Sequence, residues 1–106
     1  MEKRISQRVP VSLDVKFSCC SLLYYGTVKN ISERGMFITT KRACFPFDLK
    51  FVVTLSVNNS LKIHVPVNLC WMTSSADSGD GLGVQLQRPT REYVKFMERL
   101  GITNNP

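Results

Sequence analysis

Residues 9–18 read Val9-Pro-Val-Ser-Leu-Asp-Val-Lys-Phe-Ser18, and their alternation decides the architecture. Val9, Val11, Leu13, Val15 and Phe17 fall on one face, with Ser12, Asp14, Lys16 and Ser18 on the other. A period of two is the pattern of a strand with one buried and one wet face. The same texture recurs at residues 22–29, where Gly26 reads as a bulge. It returns at residues 36–40, Met-Phe-Ile-Thr-Thr, after the turn signal Ser32-Glu-Arg-Gly35. Residues 49–57 and 61–72 are long β-rich runs joined by Asn58-Asn59-Ser60, a hairpin connection. Asp77-Ser-Gly-Asp-Gly81 marks the next turn, and residues 82–87 the last strand.

After Pro89 the period changes. Tyr93, Val94, Phe96, Met97 and Leu100 lie at helical spacing, Thr90 can cap the N-terminus and Gly101 can stop the helix. The expected fold is therefore all-β: six antiparallel strands in a small closed or nearly closed barrel, with a short C-terminal α-helix over an open end. There are no internal repeats, and residues 102–106 read as a frayed tail.

The composition sets the outer bounds. A chain of 106 residues, 43% hydrophobic and 21% charged, is one globular domain with a single core. A spanning helix needs roughly 20 apolar residues. The longest apolar run, Phe51–Val57, is already interrupted by Thr54 and Ser56. Met1-Glu-Lys-Arg4 has no apolar segment behind it, so no secretory signal is expected and the cytosol is the expected compartment. The net charge of +6 is uneven. Residues 1–50 carry nine basic and four acidic side chains, whereas residues 51–106 carry five and four. Such an excess points to an anionic partner.

Metal and thiol chemistry find little support. Cys19, Cys20, Cys44 and Cys70 lack the spacing of a zinc site and read as reduced, mostly packed thiols. His64 has no second histidine near it to share a metal, and as the one base open to a Ser-His-Asp arrangement it sits mid-strand among apolar neighbours, so no enzyme is expected. Asp77–Gly81 runs out of acidic positions for a calcium loop.

Two clusters are left without a packing role. Arg4-Ile-Ser-Gln-Arg8, preceded by Lys3, lies ahead of the first strand. Asn30-Ile-Ser-Glu-Arg-Gly35 closes the second. Singly, they are solvated charges and a turn in which Asn and Ser cap the backbone. Together, on this β pattern, the chain resembles the PilZ domain family, bacterial receptors for the second messenger cyclic di-GMP. That family carries Arg-x-x-x-Arg before its first strand and Asp/Asn-x-Ser-x-x-Gly after its second, on a six-stranded barrel with a C-terminal helix. Gly81-Leu-Gly-Val-Gln-Leu86 is similar to its closing strand, and the resemblance runs from Lys3 to about Leu100.

The chemistry suits that ligand, which has two phosphodiesters and two guanines. A guanidinium can donate two parallel hydrogen bonds to a phosphate or to guanine O6 and N7, and its face stacks on a base. The resemblance implies that Arg4 and Arg8 grip the ligand, that Asn30 and Ser32 hydrogen-bond the guanine edge and phosphate region, and that Gly35 keeps the turn tight. It also implies that Lys3 favours a stacked ligand dimer. Trp71 is open between core packing and a place beside the ligand.

The expected organisation is a ligand-clamping segment at residues 1–8, flexible until bound, then a barrel with its helix at 9–101. The first motif begins at residue 4, so a free-standing module is expected. It would act on an unidentified effector protein, or through a ligand-dependent change of oligomeric state, and without a cofactor. The alternative is a PilZ-like interaction adaptor that binds no nucleotide, as in pilus assembly, although such members typically lack the arginine pair. Single-stranded nucleic acid would need aromatics along a basic groove. Here only Trp71 and the Tyr24–Tyr25 pair are available, so no DNA or RNA is expected, and no membrane insertion.

Overall fold

The structure, a computed structural model, describes residues 8–19, 21–41, 50–75 and 79–101. Its strands are β1 (Val9–Cys19), β2 (Leu22–Ile31), β3 (Gly35–Thr40), β4 (Lys50–Ser56), β5 (Lys62–Ser75) and β6 (Gly79–Leu86), followed by helix α1 (Arg91–Arg99). They pair in the order β1-β2-β3-β6-β5-β4, and β4 returns to β1, closing a barrel. Every pairing is antiparallel. The expected six-stranded barrel with a short C-terminal helix is what the chain forms.

Alternation explains the interior. Val15 and Phe17 of β1, Ile38 of β3, Val53 and Leu55 of β4, and Val65 and Val67 of β5 are buried in one cluster. Their neighbours Lys16, Val52, His64 and Pro66 point outward or half-outward. Each fully buried Val, Leu, Ile or Phe contributes about 1.5–3 kcal/mol. The inward face of the barrel is therefore the main source of its stability.

Three register shifts bend the wall, between Pro10 and Leu13 against β2, between Val28 and Asn30 against β3, and between Leu69 and Trp71 against β6. Gly26, expected at a bulge, instead pairs in register with Val15 and Thr40. It is glycine because a Cβ there would run into the Thr39 carbonyl. Strands also run longer than alternation suggested. β5 continues through Thr73-Ser-Ser75, and β6 begins at Gly79, because Thr73 and Ser74 pair with Gly81 and Asp80. Polar, turn-forming residues are held in a strand by their cross-strand partners.

The β4–β5 hairpin forms where expected. Asn58 Oδ1 accepts from the Ser60 amide at 2.9 Å and the Leu61 amide at 3.0 Å, fixing the reversal. In α1, Thr90 is the N-cap and its Oγ1 accepts from the Tyr93 amide at 3.2 Å. Gly101 ends the helix at φ +83°. Tyr93, Phe96 and Met97 join the barrel core, while Val94 turns outward. Among the described residues, no helix is long and apolar enough to cross a membrane.

Candidate functional site

The site grows from the junction of β2 and β3. Asn30 and Ile31 still belong to β2, and Ile31 is fully buried. That anchor forces the chain to reverse at Ser32-Glu-Arg34 before β3 begins at Gly35. Ser32 organises the reversal. Its amide donates to the Gly35 carbonyl at 2.9 Å, and its Oγ accepts from the Gly35 amide at 3.2 Å and the Arg34 amide at 3.3 Å. The side chain is 2% exposed. Its hydroxyl therefore works inside the turn.

Gly35 has a different reason. Its φ is not in the left-handed region, but a Cβ would collide with the Val84 carbonyl of β6. The close approach of β3 to β6 requires the glycine. The Arg34 carbonyl in turn accepts from the Leu86 amide at 2.8 Å, tying the turn to the end of β6.

Arg8 reaches this turn from the other end of the sequence. Its Nη1 donates to Asn30 Oδ1 at 2.7 Å, joining the two motifs across 22 positions. The pair stands at the outer surface, with Arg8 exposed and Asn30 half-buried. An arginine has five donors, so this bond leaves most of its fork available to an anion. Lys3 and Arg4, and with them residues 1–7 of the expected clamping segment, lie outside the described residues.

From Asn30 a row of side chains crosses the outer wall. Asn30 pairs with Phe37, Phe37 with Gly83, and Gly83 with Trp71, spanning β2, β3, β6 and β5. Their strand neighbours Met36, Ile38 and Leu82 are fully buried, so the row faces outward. Phe37 and Trp71 stack with ring centroids 5.3 Å apart and planes 19° from parallel. Gly83 lets the indole lie flat on β6, because a Cβ there would penetrate the ring. Trp71 is 47% exposed, so its side chain is not part of the core. The result is an aromatic shelf beside a guanidinium and a carboxamide, an arrangement that can stack a base and hold an anion.

Tyr93 of α1 completes the turn from behind. It is fully buried, and its hydroxyl donates to the Ser32 carbonyl at 2.7 Å. Burial pushes its phenol well above the ordinary value, with the nearby Arg8 charge opposing in part. Alternation places Phe37 on the wet face of β3, a signal that it has an outside task. Tyr93 gave no such signal, since its helical spacing accounts for it as core.

The remaining sequence candidates sit elsewhere. His64 is exposed on β5, and its Nδ1 lies 2.9 Å from Thr54 Oγ1. Cys70 is exposed and free, not packed, because the register shift at Leu69–Trp71 breaks the alternation there. Cys20 and Cys44 fall outside the described residues.

The model of one protein family, described as PilZ domain, matches residues 2–100. No curated protein sequence matches the chain. Among solved structures, the chain is similar to the Bacillus subtilis inhibitor of motility (MotI/DgrA), with TM-score 0.75 at 10% identity. That match covers 94% of this chain and 49% of the other, so the chain spans about half the length of that protein. It is similar to the PilZ domain of YcgR from Escherichia coli, solved with c-di-GMP, at TM-score 0.72 and 10% identity, covering 93% and 88% of the two chains. The PilZ domain of CeSA from a cellulose-synthesizing bacterium gives TM-score 0.62 at 12% identity, covering 89% and 93%. At such identities the likeness is one of fold.

Proposed function

Because this chain belongs to the PilZ domain family, we propose that it is a receptor for cyclic di-GMP and that the ligand lies on the outer wall along Asn30, Phe37, Gly83 and Trp71. The observation that carries the reading is the 2.7 Å bond from Arg8 to Asn30 at one end of a row whose other end is the Phe37–Trp71 stack. A fork for phosphate or guanine and a face for a purine stand side by side. The similar YcgR domain, solved with c-di-GMP, supports the choice of ligand.

In this reading Arg8 and Arg4 hold the phosphates and guanine edges, Asn30 orients Arg8 and the base, and Trp71 stacks. Ser32 and Gly35 act by holding the turn that presents Asn30. Lys3 favours a second, stacked ligand. Residues 1–8 close over the ligand, and the changed surface is what an effector protein reads. Ordering costs roughly 1–2 kcal/mol per residue, so the ligand contacts must exceed that sum. The chain acts by binding, without catalysis, in the cytoplasm.

The test is calorimetric titration of cyclic di-GMP into the wild type and Arg8→Ala, with GTP as control. Each charge-assisted bond contributes about 1.5–3 kcal/mol, so the expected result is micromolar or tighter binding, weakened roughly tenfold or more in the variant. The stoichiometry, one or two ligands per chain, tests Lys3. No heat from the wild type would overturn the receptor reading in favour of the interaction adaptor.

A further inference from the structure

Among the described residues, the segment from Asn30 through the Ser32–Arg34 turn is held by three hydrogen bonds beyond its own turn and the β2 ladders. Arg8 holds Asn30 from the front, the Leu86 amide holds the Arg34 carbonyl at the end of β6, and the Tyr93 hydroxyl holds the Ser32 carbonyl from behind. The first is a surface contact that a ligand would rearrange, and the second is an extension of the β3–β6 ladder. Among the described residues, only the third links the turn to an element outside the barrel wall, α1. It is also a short bond, 2.7 Å, made by a fully buried side chain.

We propose that Tyr93 is a positioning residue for the ligand site, fixing the height of the Asn30–Gly35 turn on the barrel, and that α1 is the element through which occupancy of the site is passed on. This rests on the cyclic di-GMP reading for the identity of the occupant, but not for the latch itself. Ser32 has no freedom of its own, since its amide, hydroxyl and carbonyl are all engaged. Any ligand that pulls on Asn30 therefore moves a rigid turn, and the turn moves against the phenol. Coupling of this kind is reciprocal: if the helix position sets ligand affinity, the ligand sets the helix position by the same factor. Burial keeps the phenol protonated throughout the range in which proteins are ordinarily folded, so Tyr93 remains a donor.

Tyr93→Phe removes the hydroxyl and keeps the ring. Phe96→Leu serves as a control that loosens the same buried face of α1 and keeps the Tyr93 hydroxyl. Backbone amide exchange is followed at Arg34 and Gly35, whose amides donate to Ser32 Oγ, and across residues 91–99, with and without cyclic di-GMP. The expected result is faster exchange at Arg34 and Gly35 in Tyr93→Phe but not in Phe96→Leu, with ligand affinity lowered roughly 5- to 50-fold in the first alone. Ligand should slow exchange in α1 of the wild type and fail to do so in Tyr93→Phe. Unchanged turn amides in Tyr93→Phe, or equal effects of both variants, would overturn the latch whether or not ligand binds. Turn amides that depend on Tyr93, in a wild type that binds no cyclic di-GMP, would instead overturn the ligand reading and leave the latch standing.

Discussion

At the scale of single residues, the outer wall depends on an absence. Gly83 has no side chain, so the Trp71 indole lies against β6 and reaches Phe37. Gly83→Ala pushes the indole away, because the ring is the movable partner in the collision. The expected outcome is a folded barrel with altered emission from Trp71, the only tryptophan, and weaker cyclic di-GMP binding. Loss of base stacking costs about 1–3 kcal/mol, so affinity should fall roughly 5- to 150-fold in a fluorescence titration. Unchanged emission would mean that the indole does not rest on β6. The residues of the two motifs were legible in the sequence only in combination: arginines ahead of a strand and Asn, Ser and Gly at turn spacing are commonplace singly, and their order on this β pattern is what resembles the family. The tasks of Ser32 and Gly35 were less so. Whether a hydroxyl faces a ligand or its own turn depends on the burial of Ile31 beside it, and the Gly35 constraint comes from Val84, far along the chain.

At the scale of elements, α1 is nine residues long and too short to hold itself as an isolated helix in water. Its stability comes from the buried side of Tyr93, Phe96 and Met97, from the Thr90 cap, and from Glu92 and Arg99 placed favourably on the helix dipole. Thr90→Ala removes the acceptor for the Tyr93 amide and should cost about 1 kcal/mol, a fall in Tm of roughly 4–8 °C by circular dichroism, with Thr90→Ser restoring most of it. Equal melting of Thr90→Ala and wild type would remove the cap from the account of the helix. The sequence shows this helix clearly, since the period, cap and stop agree. Strand ends were harder. Thr73-Ser-Ser75 and Gly79-Asp-Gly81 carry turn-like composition, and only their pairing with each other and with β3 makes strands of them.

At the scale of the whole molecule, the strand order divides the barrel into two consecutive three-stranded meanders, β1-β2-β3 and β4-β5-β6, joined along the β3–β6 and β1–β4 ladders. The proposed ligand row crosses the first of these ladders, with Asn30 and Phe37 on one meander and Gly83 and Trp71 on the other. A ligand held there binds only the assembled barrel. At a hundred times its dissociation constant it should therefore stabilise the fold by about 2.7 kcal/mol. The expected result is a rise in Tm of roughly 10 °C or more with cyclic di-GMP and none with GTP. A ligand that binds by calorimetry but leaves Tm unchanged would not be seated across the two meanders. The same division has a practical meaning for protein engineering. Cut between residues 41 and 50, the polypeptide yields two fragments that each keep their local hairpins and lose what the halves share: the β3–β6 and β1–β4 ladders, the common core and the Tyr93–Ser32 bond. Such halves are the raw material of a split reporter, and a small molecule that bridges them would act as the switch that reassembles it.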